Sequence, residues 1–211
     1  MARTLVIDTA TAACSVALIE DGAVIANAHE VVGRGHAERL LPMIAALPDG
    51  GRADRILVDC GPGSFTGVRV GLAAARGLAL GWGVPVAGYS SMALIAAAAF
   101  ARTPTLGQVA VVLEGGHGEV FVQGFAVAPM TENLPLASLP PDAAYAAIGG
   151  RTAFGSGLQG LRGVDPDLVG EEALPRAADA LLLPEQFAGL PPSPIYGRAP
   201  DAKTLAERGL G

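Results

Sequence analysis

The chain has 211 residues, 51% of them hydrophobic and 16% charged, a balance that excludes intrinsic disorder and leaves apolar surface enough for one large domain or two small lobes. Mean hydropathy is positive at +0.43, yet no segment approaches the ~20 uncharged apolar residues of a membrane span, the best run being residues 92–101. A formal net charge of −6, a single lysine at Lys203 and arginines scattered without a run of three make the chain a poor holder of RNA on its own. The first residues enter strand pattern at once, with Asp8 inside it and no basic leader, so the expected location is the cytosol. Cys14 and Cys60 lie in apolar strand contexts without CxxC or Cys/His spacing, which predicts buried thiols rather than a disulfide or zinc site.

Residues 5–9, 56–61 and 109–115 share one grammar: an apolar, largely β-branched run, then a carboxylate, then small residues. Buried strands that deliver loops to one sheet edge read this way, so an α/β fold with helix-flanked sheets is expected. Residues 12–18 and 23–29 read as strands joined by a turn at Glu20-Asp21-Gly22, which makes the opening an antiparallel meander. Residues 36–47 carry an apolar stripe at helical spacing, with Pro42 predicting a kink or two short pieces. Gly61-Pro62-Gly63-Ser64 reads as a tight turn with Ser64 as N-cap of a helix over 65–81, followed by a strand at 84–88 and a helix at 91–101. Pro104 and Gly107 mark a boundary, dividing the chain into lobes 1–103 and 104–211. In the second lobe, 109–113 and 119–127 read as a hairpin, 129–141 as turn-rich, 144–149 as a strand, 173–183 as a helix and 191–202 as an extended tail.

The helix at 65–81 is apolar nearly all round. Phe65, Val68, Leu72, Ala75 and Ala79 lie on one side, with Gly67, Val70, Gly71, Ala74, Leu78 and Gly81 opposite. Interior glycine costs ~1 kcal/mol relative to alanine, and close backbone approach is the usual reason for it, so the glycine side is assigned to the helix's own sheet. The Val68–Leu72–Ala75 side, flanked by Arg69 and Arg76, is then either covered by a further layer of the same chain or left as an interface.

The string Asp59-Cys60-Gly61-Pro62-Gly63-Ser64-Phe65-Thr66-Gly67-Val68-Arg69-Val70-Gly71-Leu72 resembles the GPGSFTGxRxG signature of the TsaB (YeaZ) family, bacterial proteins of the actin-like ATPase superfamily. Ile7-Asp8-Thr9-Ala10-Thr11, His36-Ala37-Glu38-Arg39-Leu40-Leu41-Pro42 and Gly88-Tyr89-Ser90-Ser91-Met92 extend the resemblance over residues 4–100. It implies a two-lobed actin-like (ASKHA, ribonuclease H-like) fold and a non-catalytic subunit for adding threonylcarbamoyl to the adenosine beside the anticodon of tRNA. The implied partners are a TsaD-like catalytic subunit and a TsaE-like ATPase, with a homodimer when alone and tRNA reached only through the complex. It also resolves the helix-face alternatives toward an interface, here His36, Leu40, Leu41, Ile44, Phe65, Val68, Arg69, Leu72, Ala75 and Arg76.

TsaD-like relatives hold a metal with an HxxxH pair, because imidazoles one helical turn apart reach one ion. Here His36 is followed four residues on by Leu40, so no metal and no catalytic residue is expected, and His36 reads as a capping or interface residue. His29 and His117 read as solvated. By resemblance Asp8 and Thr9 occupy the place of a first phosphate loop, with equal weight on a structural role for Asp8, while Glu114-Gly115-Gly116 only partly echoes the opposing turn. No cofactor is expected beyond a weak ATP or ADP contact at the partner boundary. The alternatives are a stand-alone actin-like ATP-dependent kinase or hydrolase and an M22-type glycopeptidase.

Overall fold

The computed structural model describes residues 2–197. The chain opens with β1 (Arg3–Asp8), β2 (Ala13–Glu20) and β3 (Ala23–Val31), then α1 (His36–Ala45), β4 (Arg55–Asp59), α2 (Phe65–Trp82), β5 (Val86–Tyr89) and α3 (Ser91–Arg102). The first three strands form the expected meander, and β4 and β5 join in parallel to give the order β3-β2-β1-β4-β5. The chain continues with β6 (Gln108–Glu114), β7 (Val120–Ala126), β8 (Thr131–Leu139), α4 (Pro141–Ile148), β9 (Thr152–Phe154), α5 (Leu158–Arg162) and β10 (Gly170–Glu171). Its sheet runs β8-β7-β6-β9-β10, with the same two antiparallel and two parallel pairings. One topology built twice is the two-lobed, actin-like arrangement.

Strand alternation sends neighbouring residues into different cores. Leu5 and Ile7 of β1 face α1 and α2, whereas Val6 between them faces α3. In the second sheet Val109, Val111 and Leu113 also face α3, while Ala110 and Val112 turn toward α4 and α5. The resulting order of layers is α1/α2, first sheet, α3, second sheet, α4/α5. Helix α3 is apolar all round because both sheets cover it, the general condition for such a helix.

Three expectations for the second lobe need correction. Residues 131–139 form the long edge strand β8, which Pro135 can join because an edge strand has a side that needs no ladder donor. The segment expected as a strand at 144–149 is the end of α4, begun by Pro141 and closed by left-handed Gly149. The segment expected as a helix at 173–183 holds only a 3₁₀ turn, Ala177–Leu182, packed on β2, β3 and α3. Helix α1 passes through Pro42 unbroken: Glu38 and Pro42 are both exposed, so the carbonyl left without its donor is on the solvent side. Residues 198–202 of the expected tail lie outside the described residues.

The larger correction concerns α2. Gly67 and Gly71 do face the sheet, where Thr9 comes so close that its hydroxyl donates to the Gly67 carbonyl at 2.8 Å. A Cβ at Gly67 would collide with the Thr9 carbonyl oxygen, and one at Gly71 with the Thr9 hydroxyl. Val68, Leu72 and Ala75, expected on an interface, are buried beside them at 5%, 3% and 0% exposure. Leu40 and Ile44 of α1 are buried in the same core, at 1% and 2%. The buried arc of α2 is wider than its glycine side: Val68, Leu72, Ala75 and Ala79 join Gly67 and Gly71 in one core. The outward arc is instead Ala73, Arg76, Gly77 and Leu80.

Gly71→Ala should therefore destabilise the fold by about 1–3 kcal/mol, through overpacking against Thr9. Gly77→Ala, where a Cβ meets open space, should be neutral or mildly stabilising. Urea unfolding of the two variants checks the contrast.

Candidate functional site

The carboxyl ends of β1, β4 and β5 place Asp8, Asp59 and Tyr89 together, all three fully enclosed. Asp59 Oδ1 accepts from the Gly61 amide (3.0 Å), the Ser91 amide (3.0 Å) and the Ser91 hydroxyl (2.7 Å), so it ties the Gly61 turn to the first residue of α3. Burial still pushes Asp59 up to about 6, with those hydrogen bonds opposing the shift. Asp8 is raised further, by burial first and by the charge of Asp59 second. The Tyr89 oxygen lies 2.8 Å from Asp8 Oδ2 and 3.2 Å from the Ile7 carbonyl. The Tyr89 hydroxyl donates to Asp8 Oδ2, and that hydrogen bond opposes the upward shift of Asp8. Among the described residues, Asp8 Oδ1 and Asp59 Oδ2 have no hydrogen-bond partner.

Above this pair a cleft of about 1120 Å³ opens between the two lobes. Its floor is Ala10, Thr11 and Ala12, and the N-terminal end of α2 with Ser64, Phe65 and Arg69 forms one wall. The turn from Glu114 to His117, Ser156 and residues 194–197 close the other sides. Asp8 and Thr9, expected at a phosphate loop, lie beneath the floor at 0% and 1% exposure. Ser64 caps α2 as expected, its hydroxyl accepting from the Gly67 amide. His117 stands in the cleft wall with a left-handed backbone.

His36, expected as a capping or interface residue, is 4% exposed and donates from Nε2 to the Ala13 carbonyl at 3.1 Å. It pins the start of α1 to β2 inside the lobe. His29, expected in solvent, is half-buried near Arg176 and Asp179, and burial lowers its pKa. Cys14 and Cys60 are buried free thiols, as expected. Among the described residues no group of three or more His, Cys, Asp or Glu side chains is placed to hold a metal ion, and no helix is long and apolar enough to cross a membrane.

Of the expected interface set, Leu41 (53%) and Phe65 (69%) are the exposed apolar members. Arg69 and Arg76 are reserved for a feature that sequence reasoning missed: the C-terminal segment crosses the start of α2. Arg69 donates to Tyr196 Oη at 2.9 Å and stacks on Phe65, its guanidinium carbon 3.3 Å from the ring centre. Arg76 donates to the Pro192 carbonyl at 2.7 Å.

The acid pair has a direct consequence for stability. A carboxyl whose folded pKa is raised stabilises the fold below the ordinary carboxylate range, and that contribution is lost as pH rises through the folded value. Asp59→Asn and Asp8→Asn remove the cost of ionising a buried acid. Relative to the parent, Asp59→Asn should gain stability between about pH 4 and about pH 7, by on the order of 2–3 kcal/mol, and Asp8→Asn should change in the same direction as pH rises. Urea midpoints measured across that range test this, and parallel profiles for parent and variants would contradict it.

Comparison with known proteins agrees with the fold and the motifs. The family model of TsaD, tRNA N6-adenosine threonylcarbamoyltransferase, matches residues 24–133. The tRNA threonylcarbamoyladenosine biosynthesis protein TsaB of Escherichia coli K12 is 42% identical over 125 residues, which span 56% of this chain and 53% of that protein. An uncharacterized protein of Mycobacterium tuberculosis H37Rv is 32% identical over 212 residues, covering 96% of this chain and 94% of its own length. The solved structure of YeaZ from Pseudomonas aeruginosa superposes with a TM-score of 0.77 at 31% identity, covering 93% of this chain and 100% of that one. A second Pseudomonas aeruginosa structure, described as similar to peptidase YEAZ, reaches 0.79 at 32% identity, with 94% and 100% coverage. With the Gly61–Leu72 signature seated at the start of α2 and relatives matched along nearly their whole length, the chain belongs to the TsaB (YeaZ) family.

Proposed function

We propose that the chain is a non-catalytic pairing subunit in the biosynthesis of threonylcarbamoyladenosine in tRNA, and that it pairs with a TsaD-type catalytic subunit through the outer face of α1 and α2. The observation that carries this reading is an apolar face left open across two adjacent helices. Leu80 is 87% exposed and Leu41 53%, with Ala45, Ala73 and Gly77 also exposed. Small residues at its centre let another helix pair approach closely, since interhelical distance depends on the side chains at the contact. The Arg39–Glu30 ion pair on one flank and Arg69 and Arg76 on the other give the face a polar rim, as interfaces commonly have.

The printed name of the E. coli relative and the family model supply the reaction. The burial of Asp8 under Tyr89 and of His36 against Ala13 supports a role without chemistry of its own. A net charge of −6 favours contact with tRNA only through the complex. The same reading has the chain in the cytosol, homodimeric when alone, joined by a TsaE-type ATPase, and touching ATP or ADP weakly at the partner boundary.

Leu80→Asp and Ala73→Arg should leave the fold intact while weakening capture of a purified TsaD-type subunit by at least about tenfold. Leu72→Asp, by contrast, should unfold the chain by burying an unpaired charge. Circular dichroism and a pull-down separate the two effects, and unimpaired capture by both outer-face variants would defeat the proposal.

A further inference from the structure

The C-terminal segment is fastened to the first lobe at spaced points. Leu190 exchanges two backbone hydrogen bonds with Gly88 of β5, at 2.6 and 2.9 Å. Further along, the Ile195 amide donates to the Cys60 carbonyl at 2.7 Å, and the last described residue, Gly197, sits against the Phe121 ring of the second lobe. Between these points Arg76 holds the Pro192 carbonyl, Arg69 holds Tyr196, and the Cys60 thiol lies against the Pro191 carbonyl. Residues 194–197 form one wall of the interlobe cleft.

The two guanidinium groups are the unusual part of this fastening. Among the described residues neither Arg69 nor Arg76 makes an ion pair, although other arginines of the chain do. Their acceptors are neutral oxygens: the Pro192 carbonyl for Arg76, and the Tyr196 phenol and the Phe65 carbonyl of its own helix for Arg69. Hydrogen bonds to charged acceptors are roughly twice as strong as those to neutral ones, so a carboxylate brought to either arginine outcompetes the segment. Both arginines also border the outer face of α2.

We propose that residues 190–197 are a releasable strap, and that carboxylates of a subunit docking on the outer face of α2 take Arg69 and Arg76 from it and thereby open one wall of the interlobe cleft. The coupling rests on the pairing reading given above; the latch itself does not. Leu190 stays fastened to β5 and acts as the fixed end, while 192–197 swing. Cys60 reports on the movement. Its sulfur is fully buried, 3.6 Å from the Pro191 carbonyl, and its backbone carbonyl holds Ile195. Burial and the neighbouring Asp59 push the thiol up to about 12, so it is inert while the strap is closed.

The test measures N-ethylmaleimide modification of Cys60 in the full chain, mapped by mass spectrometry to separate it from Cys14, together with hydrogen exchange at the Ile195 amide. In the chain alone, the Arg69→Gln/Arg76→Gln double variant should raise both rates at least tenfold. Tyr196→Ala, made from the strap side, should reproduce part of that rise. Unchanged rates in folded variants overturn the latch. Adding the pairing subunit to the parent chain should accelerate both rates to the same extent, and Leu80→Asp should abolish that acceleration. A subunit that binds and leaves Cys60 slow overturns the coupling while the pairing stands. One that fails to bind removes the pairing reading and the coupling with it, and the variants alone still decide the latch.

Discussion

The contact between Thr9 and α2 sets the geometry of the first lobe. The turn after β1 presses its carbonyl and hydroxyl into a helix surface from which Gly67 and Gly71 have removed every Cβ. That approach fixes the rotation of α2 about its axis. It sends Val68, Leu72 and Ala75 into the core, turns Ala73, Gly77 and Leu80 outward, and swings Arg69 and Arg76 toward the C-terminal segment. It also carries the capped start of the helix to the rim of the cleft. A different rotation would have changed the exposed face, the strap and the cleft wall together.

Beneath the same rim, the fold keeps two carboxyl groups fully buried, each held by hydrogen bonds. Asp59 joins the Gly61 turn to α3, and Asp8 joins β1 to Tyr89. Their placement at the carboxyl ends of parallel strands is where such sheets commonly hold ligands. Here the floor residues Ala10 to Ala12 close over them, so these groups serve the packing of strand ends.

The first lobe was legible because its signals are local and strong. β-branched runs mark β1 and β4, the Glu20–Gly22 turn sets the meander, and Ser64 announces the start of α2. The face that α2 turns outward was not legible, because the helix is apolar nearly all round and its burial is set by neighbours distant in sequence. Interior glycines spoke for Gly67 and Gly71 but misled at Gly81, which is exposed and faces open space. In the second lobe, Pro135 points away from the strand it joins and long-range pairing overrides it, whereas the alanines of α4, with Pro141 before them and Gly149 after, are helix signals that the strand reading of 144–149 passed over. The grip of Arg69 and Arg76 on residues more than 100 positions away left no trace in local pattern.

Helix α3 carries one further implication. Its small side chains are shared by both sheets, so a single continuous interior runs through the two lobes instead of one interior for each. Many two-lobed proteins work by swinging about a hinge, which requires an interface that can part cheaply. Parting these lobes would uncover the side of α3 that packs on the second sheet, together with Val109, Val111 and Leu113 of that sheet. With one interior common to both lobes, the rims and outer helices are the parts of the molecule free to respond to a neighbour.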